Sequence, residues 1–304
     1  MELRDADLAV RTRGLTKNFG KRTVVDGLDL AIPRGGVYGF LGPNGSGKST
    51  TMKMLLGLLH PSAGQISLLG EDPWGEARAR LMPRIGSMIE HPPGYGHLTG
   101  AENMRLLARL LNLETTRIDR ALELVRLTDH RDRLQRTYSL GMKQRLGIAM
   151  ALAREPELLI LDEPTNGLDP AGIEEIRELM IHLASGGVTV MISSHLLAEI
   201  DRMADVLGVL SQGRLVFQGS REELFERSIP DLLVVTPQAD AAANLVRGCR
   251  RERNGIRVQG CGQEDAARLI VRLVQAGIPI HEVRRIQQSL EEVFMDLTGG
   301  AEAL

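Results

Sequence analysis

The stretch "GPNGSGKST", residues 42–50, follows the apolar run "GVYGFL" and runs into the helix-compatible segment "STTMKMLLGLL". It fits the pattern G-x-x-x-x-G-K-[ST], in which glycines let backbone N–H groups wrap around phosphate oxygens. The lysine of this pattern adds positive charge at the β- and γ-phosphates, and the hydroxyl after it binds Mg²⁺. A chance match in a structural turn is the alternative, but the strand before the loop and the helix after it favour phosphate binding.

This loop predicts the first set of site residues. We expect Lys48 to act on the phosphates during catalysis and the Ser49 hydroxyl to bind Mg²⁺. The predicted nucleotide contacts in the loop are Gly42, Pro43, Asn44, Gly45, Ser46, Gly47, Lys48, Ser49 and Thr50.

A second apolar strand, "LLILDEP" at residues 158–164, delivers Asp162 and Glu163 at its carboxyl end. Ligands bind at that end of the strands in open α/β sheets. Asp162 is suited to hold Mg²⁺ through water, and Glu163 to orient and deprotonate the water that attacks the γ-phosphate. A solvated acidic turn is the default interpretation of an isolated "DE", but beside a phosphate loop we favour the catalytic one.

The order of apolar runs predicts an α/β architecture with two domains. Short buried strands alternate with helices, and Pro170 begins one predicted helix. Residues 1–220 form the predicted nucleotide-binding domain, with an inserted helical subdomain at about 86–150. Within it, Thr99 and Glu102 fit a capping box, and four leucines between residues 106 and 111 recur on one helix face. Residues 221–304 form a predicted α+β accessory domain with its core at about 231–298, and its last helix has a second capping box, Ser289 and Glu292.

Composition excludes several classes of protein. The 304 residues are 43% hydrophobic and 25% charged, which is typical of a globular protein. Lys and Arg total 37 against 39 Asp and Glu, so a dominant nucleic-acid-binding surface is not expected. Cys249 and Cys261 lack zinc or disulfide-framework spacing and are expected to be free thiols. No run approaches the ~18 apolar residues of a membrane span, so a membrane role requires a partner.

The stretch "YSLGMKQRLG", residues 138–147, places Ser139 directly before a helical run. Serine is a favoured N-cap because its oxygen accepts a backbone N–H, and a helix N-terminus also attracts anions. By themselves these residues leave open whether the segment is a capped helix or half of an active site.

Together these segments resemble, over essentially the whole chain, the ATP-binding subunits of ABC transporters. "YSLGMKQRLG" corresponds to the signature motif of that family, with Ser139 and Gly141 as its phosphate-contacting serine and second glycine. Leu140 replaces the first glycine and Met142 the glutamine, so we expect the backbone anion site to be kept but not a polar contact from position 142. The resemblance implies that Ser139 and Gly141 contact ATP bound by Lys48 of another subunit.

The resemblance also assigns several residues outside these motifs. "NGLDP", residues 166–170, is similar to the D-loop of the family, and His195 lies where its switch histidine reads the γ-phosphate. Phe19 matches the aromatic residue that stacks on adenine, with a core role as the alternative. Glu90 aligns with the usual Q-loop glutamine and is expected to bind Mg²⁺. Its negative charge near Glu163 should favour protonation of one of the two carboxylates until metal and nucleotide bind.

The implied fold is the α/β P-loop NTPase fold of ABC ATPases, with an N-terminal antiparallel β part, an inserted helical subdomain and a small C-terminal α+β domain. The chain is similar to the stand-alone ATPases of bacterial multidrug and peptide-antibiotic exporters, particularly the bacitracin-resistance and lantibiotic-immunity types. This similarity implies ATP and Mg²⁺ as cofactors, and a cytoplasmic position on the inner face of the membrane.

The implied partners are a separate integral-membrane permease and a second ATPase subunit in a homodimer or heterodimer. A docking surface for the permease is expected around residues 95–113; the alternative, which we favour for most of the leucines there, is that they close the helical subdomain. No nucleic-acid partner is expected. The alternatives are a soluble ABC-type ATPase of DNA repair or translation, and an importer ATPase.

Overall fold

The computed structural model describes residues 4–298, which form two compact units that meet in sequence at Ser220 and Arg221. The strands of the first unit are β1 Leu8–Phe19, β2 Arg22–Leu28, β3 Ala31–Pro33, β4 Gly36–Leu41, β5 Ala63–Leu68, β6 Ile85–Met88, β7 Leu158–Asp162, β8 Thr189–Ser194, β9 Val206–Ser211 and β10 Arg214–Gly219. Its α-helices are α1 Lys48–Leu55, α2 Arg78–Leu81, α3 Gly100–Leu111, α4 Thr115–Leu124, α5 Leu140–Leu152, α6 Pro170–Ser185 and α7 Leu197–Ile200.

A six-stranded sheet in the order β10-β9-β4-β8-β7-β6 positions the site. Its strands run parallel except β10, which is antiparallel to β9. Strands β7 and β8 are buried along their whole length, because helices cover both faces of such sheets and select continuous apolar runs. The predicted α/β fold is confirmed, and β4, β8 and β7 end side by side at one edge.

A second, antiparallel sheet is built from β2, β1, β3 and β5. Strand β1 is continuous over 12 residues, and it pairs with β3 and β5 as well as β2. Gly14 permits this sharing of partners because its φ of 59° bends the strand at a register irregularity. The expected N-terminal antiparallel part is present.

Helices α3, α4 and α5 are inserted between β6 and β7. The predicted capping box of α3 is confirmed: Thr99 accepts from the Glu102 N–H, and Glu102 accepts from the Thr99 N–H. Strand β6 overlaps the start of the predicted 86–150 subdomain but pairs in parallel with β7, so it belongs to the sheet. The buried residues of α3 include Met104 and Ala108. Of the predicted leucine stripe, Leu110 is exposed and the other three leucines are half-buried, so the leucines are not the most buried positions of this helix.

The second unit contains β11 Asp231–Val235, β12 Cys249–Glu252, β13 Gly255–Val258 and β14 Glu282–Ile286, with α8 Arg221–Arg227, α9 Ala239–Leu245, α10 Gln263–Gln275 and α11 Leu290–Thr298. Its central part follows the order β11-α9-β12-β13-α10-β14 and forms one antiparallel sheet, β12-β13-β11-β14, as in βαββαβ folds. Strand β12, "CRRE", has no apolar run in the sequence and forms by pairing with β13. Both cysteines are free thiols, as expected.

A fully buried carboxylate organises this unit. Asp231 accepts hydrogen bonds from Arg257 Nε (2.6 Å), the Gly260 N–H (3.0 Å) and Gln288 Nε2 (3.0 Å). Arg257 also donates to Glu292, whose capping box with Ser289 is confirmed. Gly299 and Gly300, expected beyond the end of α11, lie outside the described residues.

Replacing Asp231 by Ala should therefore destabilise the second unit selectively. Removing the buried carboxylate leaves Arg257 with Glu292 alone and leaves the Gly260 N–H and the Gln288 amide without their acceptor, so we expect a cost of about 3–5 kcal/mol. Hydrogen exchange of the full-length chain, followed by mass spectrometry, should show faster exchange in β11 and β13. Asp240→Ala removes an exposed pair with Arg251 and should cost less than about 1 kcal/mol, and equal effects of the two substitutions would contradict the assignment.

Candidate active site

The loop between β4 and α1 needs glycine at two positions. A Cβ on Gly42 would lie 2.4 Å from the carbonyl oxygen of Leu210. Gly47 has a φ of 110°, and a Cβ there would lie 2.9 Å from the Val24 carbonyl oxygen. The predicted glycines are thus required by the close approach of neighbouring backbone, and the loop leads directly into the N-terminus of α1.

Lys48 is 5% exposed, and its ammonium group lies against the loop. Nζ donates to the carbonyl oxygens of Gly42 (2.6 Å) and Pro43 (3.3 Å) and lies 3.5 Å from Glu163 Oε1. Burial lowers the pKa of Lys48, and the negative charges of Glu163 and Asp162 act in the opposite direction. An ammonium group that donates to neutral carbonyl oxygens in this way can donate to phosphate oxygens in their place.

The rest of the loop also fits a polyphosphate. The Ser46 hydroxyl is buried, with no hydrogen-bond partner among the described residues. Asn44 and Gly45 are exposed, and Ser49 and Thr50 are half-buried in the first turn of α1. The first N–H groups of a helix have no intrahelical acceptor and bind anions, so this loop suits phosphate groups.

The ends of β7 and β8 bring the predicted acidic residues to the loop. Asp162 is 6% exposed and accepts a 2.6 Å hydrogen bond from the Ser193 hydroxyl, which itself accepts from the Glu163 N–H at 2.9 Å. Sequence reasoning missed Ser193, although its place next to the end of the strand before His195 is a usable signal. Ser193 fixes the start of the turn that carries Glu163.

Glu163 lies between the two other predicted catalytic residues. Its backbone has a φ of 48°, a left-handed conformation that is uncommon outside glycine and turns the chain at the end of β7. Its Oε1 is 3.5 Å from Lys48 Nζ, and its Oε2 is 2.5 Å from His195 Nδ1. The structure thus brings Lys48, Glu163 and His195 together.

A magnesium ion would have few protein ligands here. Within residues 4–298, no group of three or more His, Cys, Asp or Glu side chains converges as a metal site. Mg²⁺ commonly uses one or two protein groups together with phosphates and water, so Ser49 and Asp162 fit it. The exposed carboxylate of Glu90 pairs instead with Lys53, and this hydrogen bond lowers the pKa of Glu90. Its role as a metal ligand stays a prediction.

Ser139 and Gly141 lie at the start of α5, in a different cleft. Ser139 is the N-cap of α5 and accepts from the Met142 N–H at 3.2 Å, so the predicted helix start is confirmed. The cleft beside it is lined by residues 126–145 and 167–175 and, in the described part of the chain, by none of residues 42–50. Gly141 has no atom of a neighbouring segment within 3.4 Å of a Cβ position, so its backbone is approachable.

Phe19, at the end of β1, is 50% exposed, and Lys17 Nζ lies 5.1 Å from its ring centroid. This exposure argues against a core role and leaves the ring free for stacking.

Comparison of this chain with known proteins agrees with the geometry of the site. Residues 25–166 match the model of the ABC transporter family. Over 301 residues the chain is 40% identical to the bacitracin transport ATP-binding protein BcrA of Bacillus licheniformis, covering 96% of this chain and 97% of BcrA. It is 43% identical over 226 residues to the lantibiotic transport ATP-binding protein SrtF of Streptococcus pyogenes, covering 72% of this chain and 97% of SrtF.

Comparison with solved structures agrees with these sequence relationships. A solved ATP-binding subunit of an ABC transporter superposes with a TM-score of 0.65 and 30% identity, over 72% of this chain and 92% of that subunit. The chain is therefore related over nearly its full length to transport ATP-binding proteins. It carries the phosphate loop, the acidic end of β7 and the capped start of α5. This chain belongs to the ATP-binding subunits of ABC transporters.

Proposed function

We propose that this chain hydrolyses ATP to power export of an antibiotic, a peptide or another amphipathic compound through a separate integral-membrane permease. The observation that carries the proposal is the convergence of Lys48, Glu163 and His195 at the phosphate loop. The bacitracin and lantibiotic relatives support the substrate class, and their names favour transport over DNA repair or translation.

In the proposed complex, ATP lies with its phosphates on residues 42–50 and its adenine on Phe19. Ser49 and Asp162 would hold Mg²⁺, with Glu90 as a further proposed ligand. Bound Mg²⁺ would neutralise charge that develops on the phosphates. The Lys48 ammonium group would then donate to phosphate oxygens in place of the carbonyl oxygens of Gly42 and Pro43. The buried positive charge would thus be paired with negative charge and no longer with neutral carbonyl groups.

For hydrolysis, Glu163 is placed to act as the general base. Its carboxylate would accept a proton from water while the water oxygen bonds to the γ-phosphorus and the bond to ADP breaks. His195 Nδ1, 2.5 Å from Oε2, holds that carboxylate in place and senses the γ-phosphate. Ser193 supports the same turn through the Glu163 N–H.

We further propose that two subunits complete each site. Ser139 and Gly141 would contact ATP bound by the opposing Lys48, since their cleft is separate from residues 42–50 in the described chain. The partner subunit is a second copy in a homodimer or a similar chain in a heterodimer. ATP would draw the two chains together, and hydrolysis would release them and move the permease.

Within this arrangement we assign residues 1–220 to ATP binding and residues 221–304 to an accessory domain. None of the described helices combines the length and apolar character needed to cross a membrane. The proposed permease contact is at residues 95–113, where Tyr95 is 56% and Leu110 74% exposed. The chain would therefore lie in the cytoplasm, at the inner face of the membrane, through its permease.

Glu163→Gln should lower the rate of ATP hydrolysis by roughly 10²- to 10⁴-fold, because it removes the general base but keeps the size of the side chain. ATP affinity should stay within about threefold, since Lys48 and the loop are unchanged. Phosphate release and calorimetric ATP binding measure the two effects. Glu123→Gln, on the exposed side of α4, is the matched control, and near-normal hydrolysis by Glu163→Gln would remove Glu163 from this role.

The shared-site proposal predicts that two inactive variants rescue each other. Lys48→Ala removes the phosphate lysine, and Gly141→Asp puts a negative charge at the start of α5, where the structure has room for a Cβ. Each homodimer has both sites damaged, but a mixed dimer keeps one intact site. Random mixing should therefore restore about a quarter of wild-type hydrolysis. Mixtures that stay as inactive as the separate variants would contradict a homodimer with shared sites.

A permease should copurify with the ATP-bound form. Tagged Glu163→Gln chain, captured from detergent-solubilised native membranes with ATP and Mg²⁺, should bring down an integral-membrane protein in stoichiometric amount, and Lys48→Ala should bring down less. Recovery with ribosomes or DNA in place of a membrane protein would support the soluble-ATPase alternative.

A further inference from the structure

Two segments of the active site continue beyond the sheet that supports them. Strands β7 and β8 pair in parallel, and their last register pair is Asp162 with Ser193. Glu163 and His195 follow this pair, so no backbone ladder fixes their separation although their side chains lie 2.5 Å apart. Side chains must therefore hold the two segments in place.

One carboxylate oxygen outside the described machinery reaches both segments. Glu199 Oε2, on α7, accepts a 2.5 Å hydrogen bond from the Thr165 hydroxyl and lies 3.3 Å from the Ser194 hydroxyl. Thr165 is 3% and Ser194 2% exposed, so water cannot readily replace these contacts. The Leu196 N–H donates to the Ser194 hydroxyl at 2.9 Å, and the single hydroxyl hydrogen of Ser194 has two acceptors in reach, Glu199 Oε2 and the Leu196 carbonyl oxygen at 3.2 Å.

We infer that Glu199 is a positioning residue for ATP hydrolysis, acting by holding the Glu163 turn against the His195 segment. Thr165 is two residues after Glu163, and Ser194 directly precedes His195. Ser193 links the two segments at the strand ends, and Glu199 links them one step further out. The inference rests on the proposed function, because it concerns the geometry of the proposed general base.

The same link extends toward the second half-site. The Leu168 N–H donates to the Thr165 carbonyl oxygen at 3.1 Å, so Thr165 anchors the turn that follows it. That turn packs on the start of α5: Leu168 Cδ2 lies 3.5 Å from a Cβ position on Gly141, and Leu140 Cδ2 2.7 Å from one on Gly167. Glu199 thus also fixes the turn against which Leu140 and Gly141 are placed.

The test removes the link from either side in the full-length chain. Glu199→Leu and Thr165→Val should each lower kcat about tenfold, the effect of losing one hydrogen bond to a charged group, while KM for ATP changes less than about twofold. The double variant should be no slower than Glu199→Leu, because Thr165→Val removes a contact that Glu199→Leu has already lost. Glu199→Gln keeps an acceptor oxygen and should retain at least about a third of kcat. Additive losses, or a Gln variant as slow as Leu, would overturn the inference.

The control is Thr189→Val, at the opposite end of β8. Thr189 is 2% exposed, and its hydroxyl accepts from the Gly35 N–H at 2.9 Å, so this variant loses a comparable buried bond without touching the two segments. It should leave kcat unchanged.

Hydrogen exchange separates failure of the link from failure of the proposed function. Glu199→Leu should speed exchange in peptides covering residues 163–169, and Thr189→Val should not. If the wild-type chain does not hydrolyse ATP, the proposed activity is refuted, but the hydrogen-exchange measurement still tests the Glu199 link. Unchanged exchange in Glu199→Leu would overturn the link whatever the activity.

Discussion

A buried lysine is the constraint on which the site depends. Lys48 keeps its ammonium group almost entirely out of water, where it must be matched by carbonyl oxygens, carboxylates or phosphates. The loop supplies two carbonyl oxygens at one side, and β7 supplies Glu163 at the other. Burial lowers the pKa of Lys48, whereas the nearby carboxylate of Glu163 raises it, so two opposing effects act on the charged form of the lysine. Such a cation gains most from a polyanion that replaces neutral carbonyls.

The sheet order explains why the needed partners are within reach. Strand β8 lies between β4 and β7, so the loop after β4 and the acidic end of β7 flank the segment that carries His195. All three strands are parallel, and their carboxyl ends meet at one edge. The interior of each strand contributes burial, whereas the last residues of the strands and the first residues beyond them contribute the chemistry. The left-handed backbone of Glu163 is where the chain leaves the sheet and aims its carboxylate.

Sequence reasoning succeeded where a property is local. The glycine pattern, the apolar strands, the capping boxes of α3 and α11 and the N-cap Ser139 depend on residues a few positions apart. It missed β12, which is polar and forms as a hairpin with the neighbouring β13. It also failed where partners are distant in sequence, as for β6, which joins the sheet through β7. The hydroxyls of Ser193 and Thr165 look ordinary in the sequence, because their partners are known only once β7 and β8 are adjacent. Residue types thus predict the chemistry of the site, and pairing decides which polar groups support it.

The start of α5 shows why a single chain leaves part of its chemistry unused. A helix N-terminus carries backbone N–H groups without intrahelical acceptors and a partial positive charge. Ser139 satisfies one of them, and Gly141 keeps the surrounding backbone open. Leu140, on the same turn, packs against Gly167 but is still 46% exposed. An anion-attracting turn beside an exposed leucine is better matched by a surface that brings both phosphate and apolar contact than by solvent. An opposing nucleotide-bearing subunit would supply both, and this match supports the proposal that the second half of each site lies on a partner chain.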